Sequence, residues 1–248
     1  MKKILSLNNI NKQFQRGTDT IRVLRGLSFD INAGEFVTIM GSSGSGKTTL
    51  LNSLGCLDKP TEGNYYLDDI NVGQLDRDEL AKLRNLKIGF VFQAYNLLPR
   101  TSALENVELP LFYNPSISSS ERRDRAVAAL KAVNLSERMH HMPNELSGGQ
   151  QQRVAIARAL VNEPVIILAD EATGNLDTRT SYEIMALMQE LNKEKGKTIV
   201  FVTHEPDIAA FSSRTIILKD GQVVKDNYNQ HLRSARQMLE ELPIADDY

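Results

Sequence analysis

A glycine-rich segment carries the residue types that bind the phosphates of a nucleotide. Residues 41–48 read Gly-Ser-Ser-Gly-Ser-Gly-Lys-Thr. Glycines lack a Cβ atom, so the backbone can curl and point its N–H groups at an anion. Lys47 can reach the β- and γ-phosphates, and the Thr48 hydroxyl can ligate Mg²⁺. The residues predicted to bind the nucleotide here are Gly41, Ser42, Ser43, Gly44, Ser45, Gly46, Lys47, Thr48 and Thr49.

A second glycine-rich segment, Leu146-Ser-Gly-Gly-Gln150, lies far downstream. Ser147 is a good N-cap, and Gly148 and Gly149 let a ligand approach the positive end of a helix dipole. A plain capping loop explains this pentapeptide equally well on its own, but its pairing with the first loop favours phosphate binding. Two half-sites for one nucleotide predict a protein that works as a head-to-tail pair.

Two adjacent carboxylates, Asp170 and Glu171, follow an apolar run. Asp170 suits the shell of a bound Mg²⁺, and Glu171 is placed to polarise an attacking water. Without a cation the two acids would repel each other, which argues against a strand end with no role. His204 and Gln93 follow two other apolar runs in the equivalent place. A lone histidine is more often structural, but at this edge a γ-phosphate or water contact is predicted for His204.

Short apolar, β-branched runs predict the strands that position these groups. These strands are 35–40, 88–92, 165–170 and 197–203. Helices are predicted after the two glycine loops, at 48–57 and 150–161. In an open α/β sheet, ligands bind beyond the carboxyl ends of the strands. We therefore expect the chemical groups to meet at one edge of a parallel sheet.

The order and spacing of these motifs resemble the nucleotide-binding domain of an ABC ATPase over roughly residues 4–225. Walker A corresponds to 41–48, the signature to 146–150, Walker B to 166–170 and the D-loop to 174–177. Several segments resemble one branch, the ATPases of lipoprotein-release, macrolide-exporter, cell-division and antimicrobial-peptide-resistance complexes. Those segments are 55–63, 89–93, 96–99, 103–107 and 171–177.

The resemblance implies a role for each matching residue. Catalysis is implied for Lys47, Gln93, Glu171 and His204, and Mg²⁺ ligation beside the substrate ATP for Thr48, Gln93 and Asp170. The trans signature set is Ser147, Gly148, Gly149 and Gln150, whose Ser147 and Gly149 would contact the γ-phosphate held by Lys47 of a second copy. Asp177 would cross the dimer interface.

Two positions need separate comment. Phe14 stands where the family stacks an aromatic ring on adenine, although the residues alone equally allow a strand residue on the apolar face of 4–14. Ala172 stands where the branch usually has proline, which would stiffen the turn after the acids. We expect this alanine to tune rates without abolishing activity.

Composition sets the broad class. The chain has 248 residues, 41% hydrophobic and 24% charged, as in a globular protein with a substantial core. A net charge of −2 gives no electrostatic footprint for nucleic acid. The single Cys56 excludes an internal disulfide. The apolar runs are too short for a membrane span, and Met1–Ser6 does not read as a signal peptide. A cytoplasmic location is expected, with membrane contact only through a partner.

The chain is predicted to be one α/β domain, 1–248, with a P-loop NTPase (RecA-like) core, an antiparallel β-subdomain and an inserted α-helical subdomain. The predicted parts are the β-subdomain at 1–33 and 60–75, the core at 34–59, 86–98 and 150–225, the helical subdomain at 99–149, and a C-terminal helix at 229–243. That last helix could pack on its own domain or meet a partner, and packing on its own domain is favoured.

These features predict an ATPase subunit that powers a membrane ABC transporter through ATP-driven dimerisation. The implied partners are a second copy, separate integral-membrane permease subunits on the cytoplasmic side of the inner membrane, and a periplasmic adaptor reached through the permease. The alternative is an ABC ATPase outside transport, acting on nucleic acid or ribosomes. Such proteins usually carry coiled coils, zinc modules or a second nucleotide domain, and none of these is predicted here.

Overall fold

The computed structural model describes residues 2–243, which form two β-sheets flanked by helices. The strands are β1 (Lys3–Arg16), β2 (Asp19–Asn32), β3 (Phe36–Met40), β4 (Glu62–Leu67), β5 (Ile70–Asn71), β6 (Ile88–Phe92), β7 (Ile166–Asp170), β8 (Thr198–Thr203), β9 (Arg214–Lys219) and β10 (Gln222–Tyr228). The α-helices are α1 (Lys47–Leu54), α2 (Arg77–Lys87), α3 (Ala103–Glu108), α4 (Ser119–Ala132), α5 (Gly148–Leu160), α6 (Thr178–Lys193), α7 (Pro206–Ala209) and α8 (Ala235–Glu241). The predicted α/β class is confirmed.

The central sheet has six strands in the order β10-β9-β3-β8-β7-β6, and only β10 is antiparallel to its neighbour. The four predicted core strands are present, each within one residue of its predicted bounds. They are almost wholly buried because helices cover the sheet, which explains their continuous apolar sequences. The register pairs Met40 with Thr203 and Phe92 with Asp170. The residues that follow these strands therefore share one edge.

A four-stranded antiparallel sheet, in the order β2-β1-β4-β5, packs beside the core. The sequence predicts an antiparallel hairpin of strands 4–14 and 21–31. Strands β1 and β2 form this hairpin and extend further, to a turn at Gly17 with φ of 63°. Phe14 is 43% exposed, so the interpretation that it belongs to the apolar face is wrong. The buried stripe of β1 extends only to Ile10 and the aliphatic stem of Lys12, whose Nζ lies 5.0 Å from the centre of the Phe14 ring.

Helices alone occupy the stretch between β6 and β7, all of which is described. The sequence predicts helices over 121–133 and 150–161, and both begin two residues earlier than predicted. Helix α4 begins at Ser119 because the Ser118 hydroxyl caps it, and α5 begins at Gly148 behind the predicted cap Ser147. The boundaries of the three subdomains stay predictions.

The ends of two helices differ from the sequence prediction. Helix α1 stops at Leu54, before Gly55 and the left-handed Cys56, so Leu57 is 49% exposed instead of lying on the buried face. Cys56 itself is buried, and burial raises the pKa of its thiol to about 12. The spacing of Ile184, Met188 and Leu191 predicts a helix over 178–195, but α6 ends at Lys193, before the left-handed Gly196.

The C-terminal helix is shorter than predicted and covers only Ala235–Glu241. The Gln189 side chain explains its late start, because its Nε2 donates to the carbonyl of Arg233 and its Oε1 accepts from the N–H of Ala235. Helix α8 packs on α6, with Ala235 fully buried. The predicted docking on its own domain is confirmed.

Among residues 2–243, no helix combines the length and apolar character that crossing a membrane requires.

Candidate functional site: a nucleotide cavity at the sheet edge

A cavity of about 540 Å³ opens at the carboxyl edge of the central sheet. It is lined by residues that follow β3, β6, β7 and β8, namely Ser42, Ser43, Gly44, Lys47, Thr48, Gln93, Asp170, Glu171 and His204. The fold therefore brings together four separate parts of the chain that the sequence predicted to meet. The other predicted site residues, all within the described part of the chain, do not line the cavity, namely Phe14, Gly41, Ser45, Gly46, Thr49, Asp177 and those at 146–150.

The first glycine loop wraps around its own lysine. Lys47 Nζ donates to the carbonyls of Gly41, at 2.7 Å, and Ser42, at 3.0 Å. A Cβ atom at Gly41 would lie 2.5 Å from the Leu218 carbonyl oxygen, and Gly46 has φ of 101°, so both positions require glycine. Lys47 is the first residue of α1, so a full positive charge and the positive end of a helix dipole coincide there. This arrangement suits the β- and γ-phosphates of a nucleotide.

The two acids occupy different environments. Burial, together with the neighbouring Glu171 carboxylate, raises the pKa of Asp170, while Lys47 opposes the rise. Glu171 has left-handed backbone with φ of 43°, which turns the chain sharply after β7. Its Oε1 lies 3.0 Å from His204 Nδ1. The pair thus holds one carboxylate at the rim of the cavity, where it can accept a proton.

Gln93 is fixed by a residue for which the sequence analysis predicted no role. Its Nε2 donates to Asn175 Oδ1 at 3.2 Å, and Asn175 Nδ2 donates back to the Gln93 carbonyl at 3.1 Å. A Cβ atom at Gly174 would lie 2.7 Å from Gln93 Nε2. Asn175 lies inside the predicted D-loop, which was the one available signal for it.

The signature loop does not line this cavity. Ser147 Oγ accepts from the N–H of Gln150, and the Gln150 side chain accepts from the N–H of Ser147, which forms a capping box. Asp177 caps α6 by accepting from both the N–H and the hydroxyl of Thr180, and these hydrogen bonds lower the pKa of Asp177. A Cβ atom at Gly149 would lie 2.5 Å from Thr180 Cγ2, so the two caps are adjacent.

The oxygen atoms that line the cavity are suitable ligands for Mg²⁺. Thr48 and Asp170 offer a hydroxyl and a carboxylate, and Gln93 an amide, which are the hard oxygen ligands that this ion takes. Burial, and then the neighbouring Glu171 carboxylate, disfavour the charged form of Asp170, and a bound cation would offset both effects.

We expect Asp170→Asn to raise the melting temperature of the protein without nucleotide or metal at about pH 7.5. The folded pKa is raised, so the ionised carboxylate costs stability. That cost is absent below the pKa of aspartate in the unfolded chain, about 3.9, and grows as the pH rises through the pKa of Asp170 in the folded protein. The gain, measured by differential scanning fluorimetry, should therefore shrink as the pH falls. Mg²⁺-dependent turnover should be lost.

Asp124→Asn on the exposed face of α4 is the matched control and should leave the melting temperature unchanged. A gain that is absent, or that does not vary with pH, would contradict the assigned environment of Asp170.

The glycine loop lies between β3 and α1, Lys47 begins α1, and Asp170 ends β7, which β8 separates from β3 in the parallel sheet. This arrangement defines a P-loop nucleotide-binding protein. The family model described as ABC transporter matches residues 24–174. The chain belongs to the ABC transporter family, as the resemblance implied.

The relatives agree with this membership. An uncharacterised ABC transporter ATP-binding protein of Methanocaldococcus jannaschii, MJ0796, is 55% identical over 226 residues, which cover 90% of this chain and 96% of that protein. The macrolide export ATP-binding/permease protein MacB of Syntrophobacter fumaroxidans is 51% identical over 89% of this chain but only 31% of its own length. A dimeric post-hydrolysis structure of MJ0796 with ADP and Pi has a TM-score of 0.83 at 52% identity, covering 91% of this chain and 99% of that one.

Proposed function

We propose that this chain is the ATP-hydrolysing subunit of a membrane ABC transporter and that it works as a head-to-tail homodimer. The observation that carries the proposal is the separation of two phosphate loops in one chain. Lys47 and Asp170 line the cavity, whereas the described residues 146–150 lie outside it. A second copy must supply the signature loop to complete the site. The dimeric structures of MJ0796 support this assembly.

In the proposed mechanism, the first glycine loop and Lys47 bind the phosphates of ATP. Thr48, Asp170 and Gln93 would hold Mg²⁺, which would supply neutralisation of the phosphate charge. The Glu171 carboxylate orients a water molecule and accepts its proton as the water oxygen attacks the γ-phosphorus. His204, 3.0 Å from Glu171 Oε1, keeps that carboxylate aimed. The bond between the γ-phosphorus and the β–γ bridging oxygen breaks, which leaves ADP and phosphate.

Ser147 and Gly149 of the second copy contact the γ-phosphate in this proposal. Each ATP then ties the two subunits together, and hydrolysis removes the contact that favours the closed dimer. Asp177, beside the signature loop, faces the same interface. Phe14, exposed at 43% with Lys12 against its ring, is free to stack on the adenine base.

The permease binds, in this proposal, to an apolar groove of about 910 Å³ between the core and the helical segment. Exposed apolar side chains border it, and three of them are Leu57, Leu86 and Tyr113. Such a groove suits a short amphipathic helix. The subunit would lie peripherally on the cytoplasmic side of the inner membrane, and an adaptor would be reached only through the permease. The similarity to MacB, a macrolide export protein, supports an exporter with macrolide-type cargo. The proposals of a mechanotransmission complex and of lipoprotein or peptide cargo rest on the branch resemblance of the segments 55–63, 89–93, 96–99, 103–107 and 171–177.

We expect Tyr113→Asp to abolish co-purification of the integral-membrane subunit, because a charge would be buried under the docked helix. Tyr113 is 80% exposed, so the isolated subunit should fold normally. The measurement is affinity purification of the tagged subunit from detergent-solubilised membranes, with the partner identified by mass spectrometry. Tyr228→Asp changes an aromatic residue that is 64% exposed on β10 and is the matched control. Equal recovery with both variants, or nucleic acid in place of a membrane protein, would contradict the proposal.

A further inference from the structure

The turn that follows Gln93 is held in an unfavourable backbone conformation. Tyr95 and Asn96 both have left-handed backbone, with φ of 57° and 51°. For a bulky residue such as tyrosine this conformation is an outlier that persists only when its surroundings fix it. One guanidinium does so: Arg158 Nη1 donates to the Asn96 carbonyl at 2.6 Å and Nη2 to the Tyr95 carbonyl at 2.8 Å.

The same turn also touches the other end of helix α5. Arg158 lies in the last turn of this helix, and Gly148 is its first residue. A Cβ atom at Gly148 would lie 2.9 Å from the Tyr95 hydroxyl oxygen. Tyr95 is half-buried, and its ring spans from the turn to the signature loop. The turn after Gln93 therefore contacts both ends of the helix that carries Ser147 as its cap.

A second chain segment leads from Gln93 to the same glycine. The Gln93 amide is hydrogen-bonded to Asn175. Its neighbour Leu176 approaches Gly148 as well, because a Cβ atom there would lie 3.3 Å from Leu176 Cδ2. The turn that contains Tyr95 and the segment that contains Asn175 and Leu176 therefore both lie next to Gln93 and both approach Gly148.

We propose that Tyr95 is a positioning residue that couples Gln93, at the nucleotide cavity of one chain, to the signature loop that the same chain presents to a second copy. Arg158 fixes the turn that aims the Tyr95 ring. When Gln93 shifts with the state of the nucleotide, Tyr95 shifts the first residues of α5. This inference rests on the proposed head-to-tail dimer.

The contact itself is tested in the protein without nucleotide by a double-mutant cycle of thermal stability. Gly148→Ala should lower the melting temperature because the new Cβ collides with the Tyr95 hydroxyl. Tyr95→Phe removes that oxygen, and the next ring atom, Cζ, lies 3.8 Å from the Cβ position, which is ordinary contact. The double variant should therefore recover most of the loss. Additive melting temperatures would overturn the contact.

The coupling is tested in the Glu171→Gln background by two separate readouts, ATP affinity of the monomer and ATP-driven dimerisation in analytical ultracentrifugation. Tyr95→Ala and Arg158→Leu should leave the ATP affinity of the monomer within about twofold of the parent. Both should weaken ATP-driven dimerisation by about tenfold or more. Tyr95→Phe keeps the ring and should retain most of the dimerisation. Tyr66→Ala, an exposed tyrosine on β4, is the matched control and should change neither readout.

Unchanged dimerisation of Tyr95→Ala would overturn the inference while leaving the proposed function intact. An equal loss of ATP affinity would also overturn it, since Tyr95 would then act at the site of its own chain. A Glu171→Gln parent that binds ATP and forms no dimer would overturn the proposed function, and this inference with it.

Discussion

Glu171→Gln is expected to lower ATP turnover by about 10²- to 10⁴-fold, the usual contribution of a general base. The glutamine keeps the volume of the side chain and can still bond to His204, but it cannot accept the proton of the attacking water. Lys47 and Thr48 are unaffected, so ATP should still bind. The ATP-bound dimer should then accumulate because its γ-phosphate is not removed.

Phosphate release and sedimentation, measured on the same sample, check both halves of this expectation. Glu205→Gln is the matched control. Glu205 comes shortly after β8 at the same edge of the sheet, but its side chain is exposed and does not line the cavity. Normal turnover by the Glu171→Gln protein would remove Glu171 from the catalytic role. Slow turnover without ATP-dependent dimers would support Glu171 as the general base and contradict the ATP-bound dimer.

Ser147→Ala is expected to weaken ATP-driven dimerisation by about 10²- to 10⁴-fold. The reason is the loss of one hydrogen bond to a charged phosphate at each of the two sites of the dimer, about 1.5–3 kcal/mol per bond. The same change also removes the N-cap of α5, which costs about 1 kcal/mol of stability. A measured loss of dimer could therefore come from either effect.

Ser118→Ala separates the two effects. Ser118 caps α4 through a 3.2 Å bond to the N–H of Glu121, much as Ser147 caps α5 at 3.3 Å. Both variants should lose similar stability in chemical denaturation, and only Ser147→Ala should lose dimerisation. Parallel losses of dimerisation would reduce Ser147 to a helix cap.

The edge of the core sheet was predictable because short buried strands and glycine loops have strong local patterns. Runs of Val, Ile and Phe that end in Gln93, Glu171 and His204 predict parallel strands, and parallel strands present their ends at one edge. The ABC resemblance then assigned roles that spacing alone left open. The comparisons confirm the family and the fold, whereas the role of each site residue stays a proposal.

Features that depend on tertiary contacts were not predictable from local pattern. The C-terminal helix starts late because Gln189, far away in sequence, bonds to its first residues. Phe14 continues an apolar pattern, yet the core beneath it ends earlier on β1. Asn175 and Arg158 act through backbone carbonyls of a turn around Tyr95, and no sequence pattern reports such contacts.

The central claim is that one ATP site is built from two copies of this chain, and mixing two inactive variants tests it most directly. Lys47→Ala damages the cavity side and Ser147→Arg the signature side, so each homodimer should lose turnover. In a mixed dimer one site combines intact Lys47 from one copy with intact Ser147 from the other. Each mixed dimer has one intact site out of two, so we predict that isolated mixed dimers recover about half of the unmutated rate per dimer. Mixed dimers, isolated with two different tags, that show no recovery would contradict the head-to-tail site.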